Sequence, residues 1–206
     1  MVERQIRARG IRDARVLEAM AEVPRHLFVP PESVAVAYTD APLALGRGQT
    51  ISQPLMVAAM TAALELTGAE HLLEVGAGSG YQAAILGRLA RDVVAIEIDP
   101  LLADSAARRM RELCITNVTI LPGDASGGYP PGAPYDGIVV SAAARAVPQP
   151  LLEQLAEGGR LLIPVGPEDN QELVRFCRAG TSFQREVLSN CRFVPLLGRH
   201  GRPEAQ

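Results

Sequence analysis

The sequence predicts a doubly wound α/β fold, in which helices cover both faces of a mainly parallel sheet. Between residues 70 and 165, short apolar segments alternate with segments of helical periodicity. The apolar segments are nearly continuous, as strands are when both faces of a sheet are buried. The first of them runs into a glycine-rich turn, Gly76–Gly80, at the edge where such sheets bind their ligands.

The first 54 residues predict small helices followed by a packed loop. Asp13 is a candidate N-cap for a helix that continues to Met20, and Glu32–Tyr38 predicts a second short helix. Segment 40–54 contains two prolines and two glycines but little charge. A loop with so few solubilising side chains is expected to pack against protein rather than to extend into water.

The rest of the chain predicts alternating strands and helices of one α/β core. Strands are predicted at His71–Val75, Asp92–Glu97, Asn117–Leu121, Tyr135–Ser141 and Arg160–Val165. Helices are predicted at Leu55–Leu66, Tyr81–Leu89, Pro100–Leu113 and Pro148–Leu155. A final strand pair is predicted at Gln171–Cys177 and Arg192–Leu197. We expect one domain over residues 1–206, with helices and an active-site loop in 1–54 and the α/β core in 55–206.

The composition argues against several classes of protein. The 206 residues are 48% hydrophobic and carry a formal net charge of −3, with acidic and basic residues interspersed. This distribution produces no strong positive electrostatic field that would attract nucleic acid or an anionic membrane. No apolar tract approaches the roughly 18–20 residues of a membrane span. The charged N-terminus lacks the apolar region of a signal peptide. The three cysteines and three histidines have neither disulfide nor metal-ligand spacing. We expect a soluble, cytoplasmic, monomeric protein without a metal ion.

An acidic residue before the glycine turn indicates which cofactor the turn binds. A dinucleotide-binding turn has the pattern Gly-x-Gly-x-x-Gly, but here Tyr81 occupies the third glycine position and Gly80 comes one residue earlier. Glu74 would repel a pyrophosphate at this turn, whereas it suits the cationic amino-acid end of S-adenosylmethionine. The sequence therefore favours S-adenosylmethionine over NAD.

Two further acidic residues follow the next two predicted strands. Glu97 ends the second strand, where a carboxylate can accept both ribose hydroxyls of a nucleoside. Asp124 follows the third strand, where it can accept from the adenine amino group. Acidic residues after three successive strands are a stronger signal than a glycine turn alone.

Segment Tyr38–Pro54, which contains Gln49-Thr50-Ile51-Ser52, strongly resembles the signature of the protein-L-isoaspartate O-methyltransferase family. The resemblance covers almost the whole chain, because it continues through Pro24–Pro30, Glu74–Ala84, Ala133–Asp136, Ser141–Ala144, Gly158–Gly166 and Phe193–Leu196. The chain departs from the family pattern at three sites: Ala44 replaces a usual Pro, Ala77 a common Thr, and Ala125 a usual Gly.

The resemblance implies a Rossmann-like class I S-adenosylmethionine methyltransferase fold with an N-terminal helical extension. It also implies transfer of a methyl group from S-adenosyl-L-methionine to the free α-carboxyl of L-isoaspartyl residues, with S-adenosyl-L-homocysteine as product. The methyl ester would then close to a succinimide, which opens partly to normal aspartate. Damaged proteins or peptides that contain isoaspartate are therefore the expected partners.

The resemblance also implies roles for individual residues. Ser52 is the match for the catalytic position, where its hydroxyl would donate to the substrate carboxylate and hold it in line. A covalent serine would need a histidine and an acid, and Gly78-Ser79-Gly80 is not a Gly-x-Ser-x-Gly elbow, so we do not interpret Ser52 as a covalent nucleophile. Asp40 and Leu197 are candidate substrate-binding residues. The expected cofactor-binding residues are Gln49, Thr50, Ile51, Ser52, Glu74, Val75, Gly76, Ala77, Gly78, Ser79, Gly80, Glu97, Ile98, Asp124 and Ala125.

Three alternative functions remain open from the residues. The first is a methyltransferase of the same fold that acts on another peptide or a small molecule, against which the block Gln49–Ser52 argues. The second is an NAD-binding dehydrogenase, which the displaced third glycine disfavours. The third is a catalytically silent cofactor-binding module, which only an assay would distinguish.

Overall fold

The structure is a computed structural model that describes residues 1–202. Its strands are β1 (Leu43–Gly46), β2 (Gln49–Ile51), β3 (His71–Val75), β4 (Asp92–Glu97), β5 (Val118–Pro122), β6 (Tyr135–Val140), β7 (Leu155–Val165), β8 (Gln171–Ala179) and β9 (Ser182–Cys191). Its α-helices are α1 (Ala14–Glu22), α2 (Pro54–Ala63), α3 (Tyr81–Gly87), α4 (Pro100–Glu112) and α5 (Gln149–Glu153). Short 3₁₀ or π segments lie at Val2–Ile6, Arg7–Arg9, Arg25–Phe28, Pro31–Val36 and Pro130–Gly132.

A seven-stranded sheet with the order β5-β4-β3-β6-β7-β8-β9 forms the centre of the protein. Strands β3 to β7 pair in parallel, and β8 and β9 add two antiparallel strands at one edge. The chain leaves β3 toward β4 on one side and returns to β6 on the other, so the strand order reverses beside β3. The carboxyl end of β3 is therefore the point at which a doubly wound sheet opens a ligand crevice.

The predicted doubly wound α/β fold is confirmed, and the five predicted core strands are present. Strands β3 and β4 have the predicted bounds. Strand β7 begins at Leu155, five residues before its predicted start at Arg160, because Gly158 and Gly159 do not interrupt it. An irregularity in the pairing of β6 with β7, between Tyr135 and Gly137, accommodates this longer strand.

Two sequence predictions are wrong. The strand that pairs with β8 is Ser182–Cys191 and not Arg192–Leu197. Strand β9 lies at the sheet edge and is mostly exposed, so its polar residues carried no hydrophobic signal. Segment 192–197 instead runs back toward the crevice, where Pro195 forms an isolated bridge with Ala143. The expected loop 40–54 contains a small hairpin, formed by β1 and β2.

The N-terminal extension packs into the same hydrophobic core as the sheet. Asp13 caps α1, because its carboxylate accepts hydrogen bonds from the backbone amides of residues 15 and 16. The buried side chains of Ile6, Met20 and Phe28 belong to one apolar cluster with Leu72 of β3. Burial of each large apolar side chain contributes roughly 1.5–3 kcal/mol to stability, so the extension is fixed against the core.

Every helix within residues 1–202 is too short or too polar to span a membrane. Over the same residues, no group of three or more His, Cys, Asp or Glu side chains has an arrangement suited to a metal ion.

Candidate active site

The glycine-rich turn lies at the crevice, directly after β3. Gly76, Gly78 and Gly80 have φ angles of 83°, 52° and 83°, a region that glycine adopts without steric cost. A Cβ atom at Gly80 would lie 3.0 Å from Met110 and 3.1 Å from Ala106, both on α4. The missing side chain therefore lets α4 pack closely against the turn.

Glu97 connects this turn to the end of β4. Its side chain is 3% exposed. One carboxylate oxygen accepts a 2.7 Å hydrogen bond from the Gly78 amide, and the other accepts a 3.0 Å bond from the Asp99 amide. Each carboxylate oxygen can accept more than one hydrogen bond, so Glu97 can still receive two hydroxyl donors from the crevice that it lines.

Glu74 is a fully buried carboxylate on the wall of the crevice. Its Oε1 accepts a 3.3 Å hydrogen bond from Ser141 Oγ, whereas its Oε2 has no partner among residues 1–202. Burial raises the pKa of Glu74 well above its ordinary 4.5, and the nearby charge of Glu97 raises it further. Burying a carboxylate oxygen without a hydrogen-bond donor costs free energy. This oxygen therefore fits a cationic donor such as the ammonium group of S-adenosylmethionine.

The crevice is a cavity formed by the ends of the parallel strands, the β1–β2 hairpin and segment 194–197, with about 730 Å³ of empty space including its opening to solvent. Most of the residues expected to bind cofactor line it. These are Gln49, Thr50, Ile51, Ser52, Glu74, Val75, Gly76, Ala77, Gly78, Ser79, Glu97, Ile98 and Ala125. Leu197, the expected substrate residue, lines the same cavity.

Gly80, Asp124 and Asp40 lie outside the lining of the cavity. The two oxygens of Asp124 accept hydrogen bonds from the amides of residues 126 and 199, at 2.8 and 2.7 Å. Partial burial by itself would raise the pKa of Asp124, but these hydrogen bonds lower it below its ordinary value. Asp124 thus shapes the loop whose neighbours, Gly123 and Ala125, face the cavity.

Asp40 supports the start of α2. Its Oδ1 accepts a 3.1 Å hydrogen bond from the amide of Leu55, the second residue of the helix. Its Oδ2 forms a 2.9 Å ion pair with Arg9. Asp40 therefore connects the N-terminal extension to the helix that follows Ser52.

The β1–β2 hairpin reaches across the cavity to the loop after β4. Arg47, at the tip of the hairpin, forms an ion pair with Asp99, the N-cap of α4. Partial burial would raise the pKa of Asp99, but hydrogen bonds from Arg47 and from the first amides of α4 lower it below 3.8. The hairpin is thus attached at its tip to the far side of the cavity.

A second, more open groove adjoins the cavity, with about 1270 Å³ of empty space including its opening to solvent. The walls of the two spaces share Thr50, Ser52, Ser141, Val194 and Pro195. The groove also extends along Asn190, at the end of β9, and along Arg192 and Phe193, which follow that strand. A ligand in the cavity and a second molecule in the groove would therefore meet along this shared wall, which includes Ser52.

A stack of cationic and aromatic side chains connects the N-terminal extension to the glycine turn. The Arg25 guanidinium lies 4.9 Å from the ring centroid of Tyr81, a buried residue on the cavity wall. Phe28 packs edge-on against Tyr81, with 5.3 Å between the ring centroids. The Arg109 guanidinium in turn lies 5.3 Å from the centroid of the Phe28 ring. Arg109 also donates a 2.6 Å hydrogen bond to the carbonyl of Ser79. The N-terminal extension is thereby joined to the turn.

Several cavity residues were not predicted from the sequence. They are Val57, Tyr81, Gln82, Ile96, Gly123, Ser126, Ser141, Ala142, Val194, Pro195 and Leu196. Ser141, which follows the apolar run of β6, carried a usable signal, because a polar residue at the end of a central parallel strand faces the crevice. Val194–Leu196 carried none, since nothing local directs this segment back across the sheet.

Residues 1–201 match the model of the family described as Protein-L-isoaspartate(D-aspartate) O-methyltransferase (PCMT). The chain belongs to this family. Two relatives, both named Protein-L-isoaspartate O-methyltransferase, come from Methanoculleus marisnigri and Methanoregula boonei. The first is 51% identical over 98% of this chain and 91% of its own length, and the second 52% identical over 98% and 93%.

Solved structures of family members have the same fold. One protein-L-isoaspartate O-methyltransferase superposes with a TM-score of 0.87 at 28% identity, over 97% of this chain and 67% of its own. A putative member from Plasmodium falciparum, solved in complex with S-adenosyl-L-homocysteine, superposes with a TM-score of 0.82 at 25% identity over 95% of both chains. The chain thus has the Rossmann-like methyltransferase fold that the resemblance implied.

Proposed function

We propose that this chain transfers a methyl group from S-adenosyl-L-methionine to the free α-carboxylate of L-isoaspartyl residues in proteins or peptides, and so begins their repair through a succinimide. The observation that carries this proposal is the wall shared by the cavity and the groove, which includes Ser52. Methyl transfer needs donor and acceptor held in line at one point, and an open groove accommodates an acceptor that is part of a peptide chain. Family membership supports the isoaspartyl acceptor.

The residues of the cavity fit S-adenosyl-L-methionine. Glu74 supplies an unpaired acceptor for its ammonium group, and Glu97 supplies acceptors for two ribose hydroxyls. Gly123 and Ala125, which have little or no side chain, leave room for the adenine ring, while Gln49, Thr50 and Ile51 of the hairpin close over the cofactor. When bound, this cofactor supplies an electrophilic methyl group on a sulfonium sulfur.

Ser52 is the proposed catalytic residue. The acceptor is a carboxylate with an ordinary pKa of about 4, so it is ionised near neutral pH and needs no general base. The Ser52 hydroxyl donates a hydrogen bond to one oxygen of this carboxylate and directs the other oxygen into the cavity. Leu197 lines the wall beside it, and the hairpin excludes water.

The cysteine in the groove does not compete as a nucleophile. Cys191 lies on the groove wall. Burial, with the nearby charge of Glu172, raises the pKa of its thiol to about 11, so the thiol remains protonated near neutral pH. Cys191 therefore does not compete with the substrate carboxylate for the methyl group.

We also propose that residues 1–206 act as one methyltransferase domain, as a monomer in the cytoplasm, without nucleic acid or membrane partners. The shared apolar core of the N-terminal extension and the sheet supports a single unit. Sedimentation equilibrium between about 1 and 100 μM should give the mass of one chain, 21.9 kDa. A concentration-dependent doubling of that mass would exclude the monomer.

The test of function uses two synthetic peptides that differ only in Asp or isoAsp at one position. With S-adenosyl-L-methionine labelled in the methyl group, only the isoAsp peptide should acquire base-labile label. Equal labelling of both peptides would reject isoaspartyl specificity. Labelling of neither, with cofactor binding intact, would favour the alternative of a same-fold enzyme with another acceptor, for which no feature of the groove argues.

A further inference from the structure

Gln82 is a buried side-chain amide on the cavity wall. The proposed function gives it no role in cofactor binding or catalysis. It is the second residue of α3, and its side chain is 7% exposed. It lines the cavity together with Glu74 and Val57. A nearly buried amide needs hydrogen-bond partners, so its contacts show what it presents to the cavity.

Thr61 fixes the orientation of this amide. The Thr61 hydroxyl donates a 2.8 Å hydrogen bond to the backbone carbonyl of Val57, one turn earlier in α2. Because a carbonyl cannot donate, the single hydroxyl proton is used there, and toward Gln82 the hydroxyl oxygen can only accept. The group of Gln82 that lies 2.8 Å from Thr61 Oγ1 must therefore be the NH₂ group, as the structure has it.

The amide oxygen of Gln82 consequently points away from Thr61. It has no hydrogen-bond partner among residues 1–202, and it is not one of the fully enclosed unpaired atoms. Because the rest of the side chain is buried and lines the cavity, this oxygen opens into the cavity. Gln82 thus presents an acceptor whose orientation is set by α2.

We propose that Gln82 Oε1, together with Glu74 Oε2, binds the ammonium group at the amino-acid end of the cofactor. The proposed function assigns Glu97 and loop 123–126 to the nucleoside and Glu74 to the amino-acid end, and Gln82 lines the same cavity as Glu74. An ammonium group has three N–H donors, so one carboxylate oxygen does not satisfy it. This inference rests on the cofactor assigned in the proposed function and is independent of the methyl acceptor.

The predicted consequence is selectivity for ligands that carry the amino-acid end. Calorimetry on the full chain should compare S-adenosyl-L-homocysteine with 5′-methylthioadenosine, which has the same nucleoside and thioether but no amino acid. Gln82→Met, which keeps the length of the side chain but has no oxygen, should weaken S-adenosyl-L-homocysteine binding by about tenfold or more, as loss of a hydrogen bond to a charged group does. Binding of 5′-methylthioadenosine should change by less than about twofold.

Thr61 supplies a matched pair of variants that leave Gln82 in place. Thr61→Val removes the hydroxyl but keeps the shape, so the amide loses its fixed orientation and S-adenosyl-L-homocysteine should bind several-fold more weakly. Thr61→Ser keeps the hydroxyl and should bind like the wild type. Equal weakening of both ligands by Gln82→Met, or unchanged binding of both, would overturn the proposal. If Gln82→Met does not fold, the same ligand comparison with Thr61→Val decides it. Because no acceptor peptide is present, these outcomes are separate from failure of isoaspartyl methylation.

Discussion

Ser141 donates one hydrogen bond, 3.3 Å long, to the buried carboxylate of Glu74, and the second oxygen of that carboxylate has no partner among residues 1–202. Burial holds the pKa of Glu74 well above 4.5, so the free protein favours the protonated form. A cation placed against this oxygen favours the ionised form. Binding of a cationic ligand and release of a proton from Glu74 are therefore coupled.

We predict that S-adenosyl-L-homocysteine binding releases a proton from Glu74. The amount is measured by calorimetry in buffers of different ionisation enthalpy, at a pH between 4.5 and the raised pKa of Glu74. Glu74→Gln should bind the ligand more weakly and release correspondingly fewer protons. Equal proton release by the variant and the wild type would contradict the assignment.

The stability of the ligand-free protein provides the control for this prediction. A raised pKa means that the folded state keeps a proton that the unfolded chain loses near pH 4.5. The Glu74 contribution to the free energy of unfolding is therefore fully present below pH 4.5 and decreases as the pH rises toward the raised pKa. The free energy of unfolding is measured by urea denaturation at a series of pH values, without ligand. Glu74→Gln should remove this decrease with pH.

Glu97 is predicted to affect both the fold of the turn and the affinity for cofactor. Glu97→Ala leaves the amides of Gly78 and Asp99 without their acceptors, which should lower the free energy of unfolding by about 1–3 kcal/mol. It should also weaken S-adenosyl-L-homocysteine binding, because the ribose acceptor is lost. Glu112→Ala, an exposed carboxylate on α4, is the control and should change neither. Unchanged affinity in Glu97→Ala would reject the ribose contact.

The ion pair between Arg47 and Asp99 is predicted to slow ligand exit. Arg47 is more than half exposed, so the pair contributes at most about 1 kcal/mol to closing the hairpin. Arg47→Ala should therefore increase the dissociation rate of S-adenosyl-L-homocysteine by up to about fivefold in stopped-flow displacement, and salt should reduce the difference. Arg91→Ala removes an exposed ion pair with Asp92 at the opposite end of β4 and should leave the rate unchanged. Equal acceleration in both variants would exclude a specific role for the hairpin tip.

The parallel core was predictable because each of its strands is buried on both faces. β3 and β4 are runs of apolar residues bounded by turns, so hydrophobicity alone locates them. β9 could not be found in this way, because it lies at the sheet edge and most of its residues are exposed. The hairpin of β1 and β2 was also missed, since its strands have four and three residues and no periodicity to detect.

The carboxylates of the site were predictable from their positions at the ends of parallel strands. Glu74 and Glu97 follow from the strand ends, since side chains near the carboxyl ends of parallel strands lie at the crevice, and both line it. Asp124 follows from the same rule but lies outside the cavity lining, because backbone amides of its own loop and of residue 199 use its oxygens. Gln82 was not predicted, because its orientation depends on Thr61 of a different helix.

Asp40 is predicted to act through the start of α2 and not through its charge. Asp40→Ala removes the acceptor for the Leu55 amide, which should cost about 1 kcal/mol of stability and raise the KM for the isoAsp peptide. Asp40→Asn keeps an oxygen for that amide, and the lost ion pair involves an exposed Arg9, so both quantities should stay near the wild type. A KM raised equally by both substitutions would show instead that the carboxylate contacts the substrate.

Ser52 is predicted to affect methyl transfer far more than cofactor binding. Its side chain lies on the wall shared by cavity and groove, and the proposed hydrogen bond reaches the acceptor carboxylate only. Ser52→Ala should lower kcat for the isoAsp peptide by about tenfold or more, as loss of a positioning hydrogen bond to a charged group does, while S-adenosyl-L-homocysteine affinity changes little. Ser33→Ala, a serine outside both walls, should change neither quantity. Ser52→Thr keeps the hydroxyl and should retain part of the activity. A Ser52→Ala variant with wild-type kcat would remove the hydroxyl from the mechanism and leave positioning to the backbone of the hairpin.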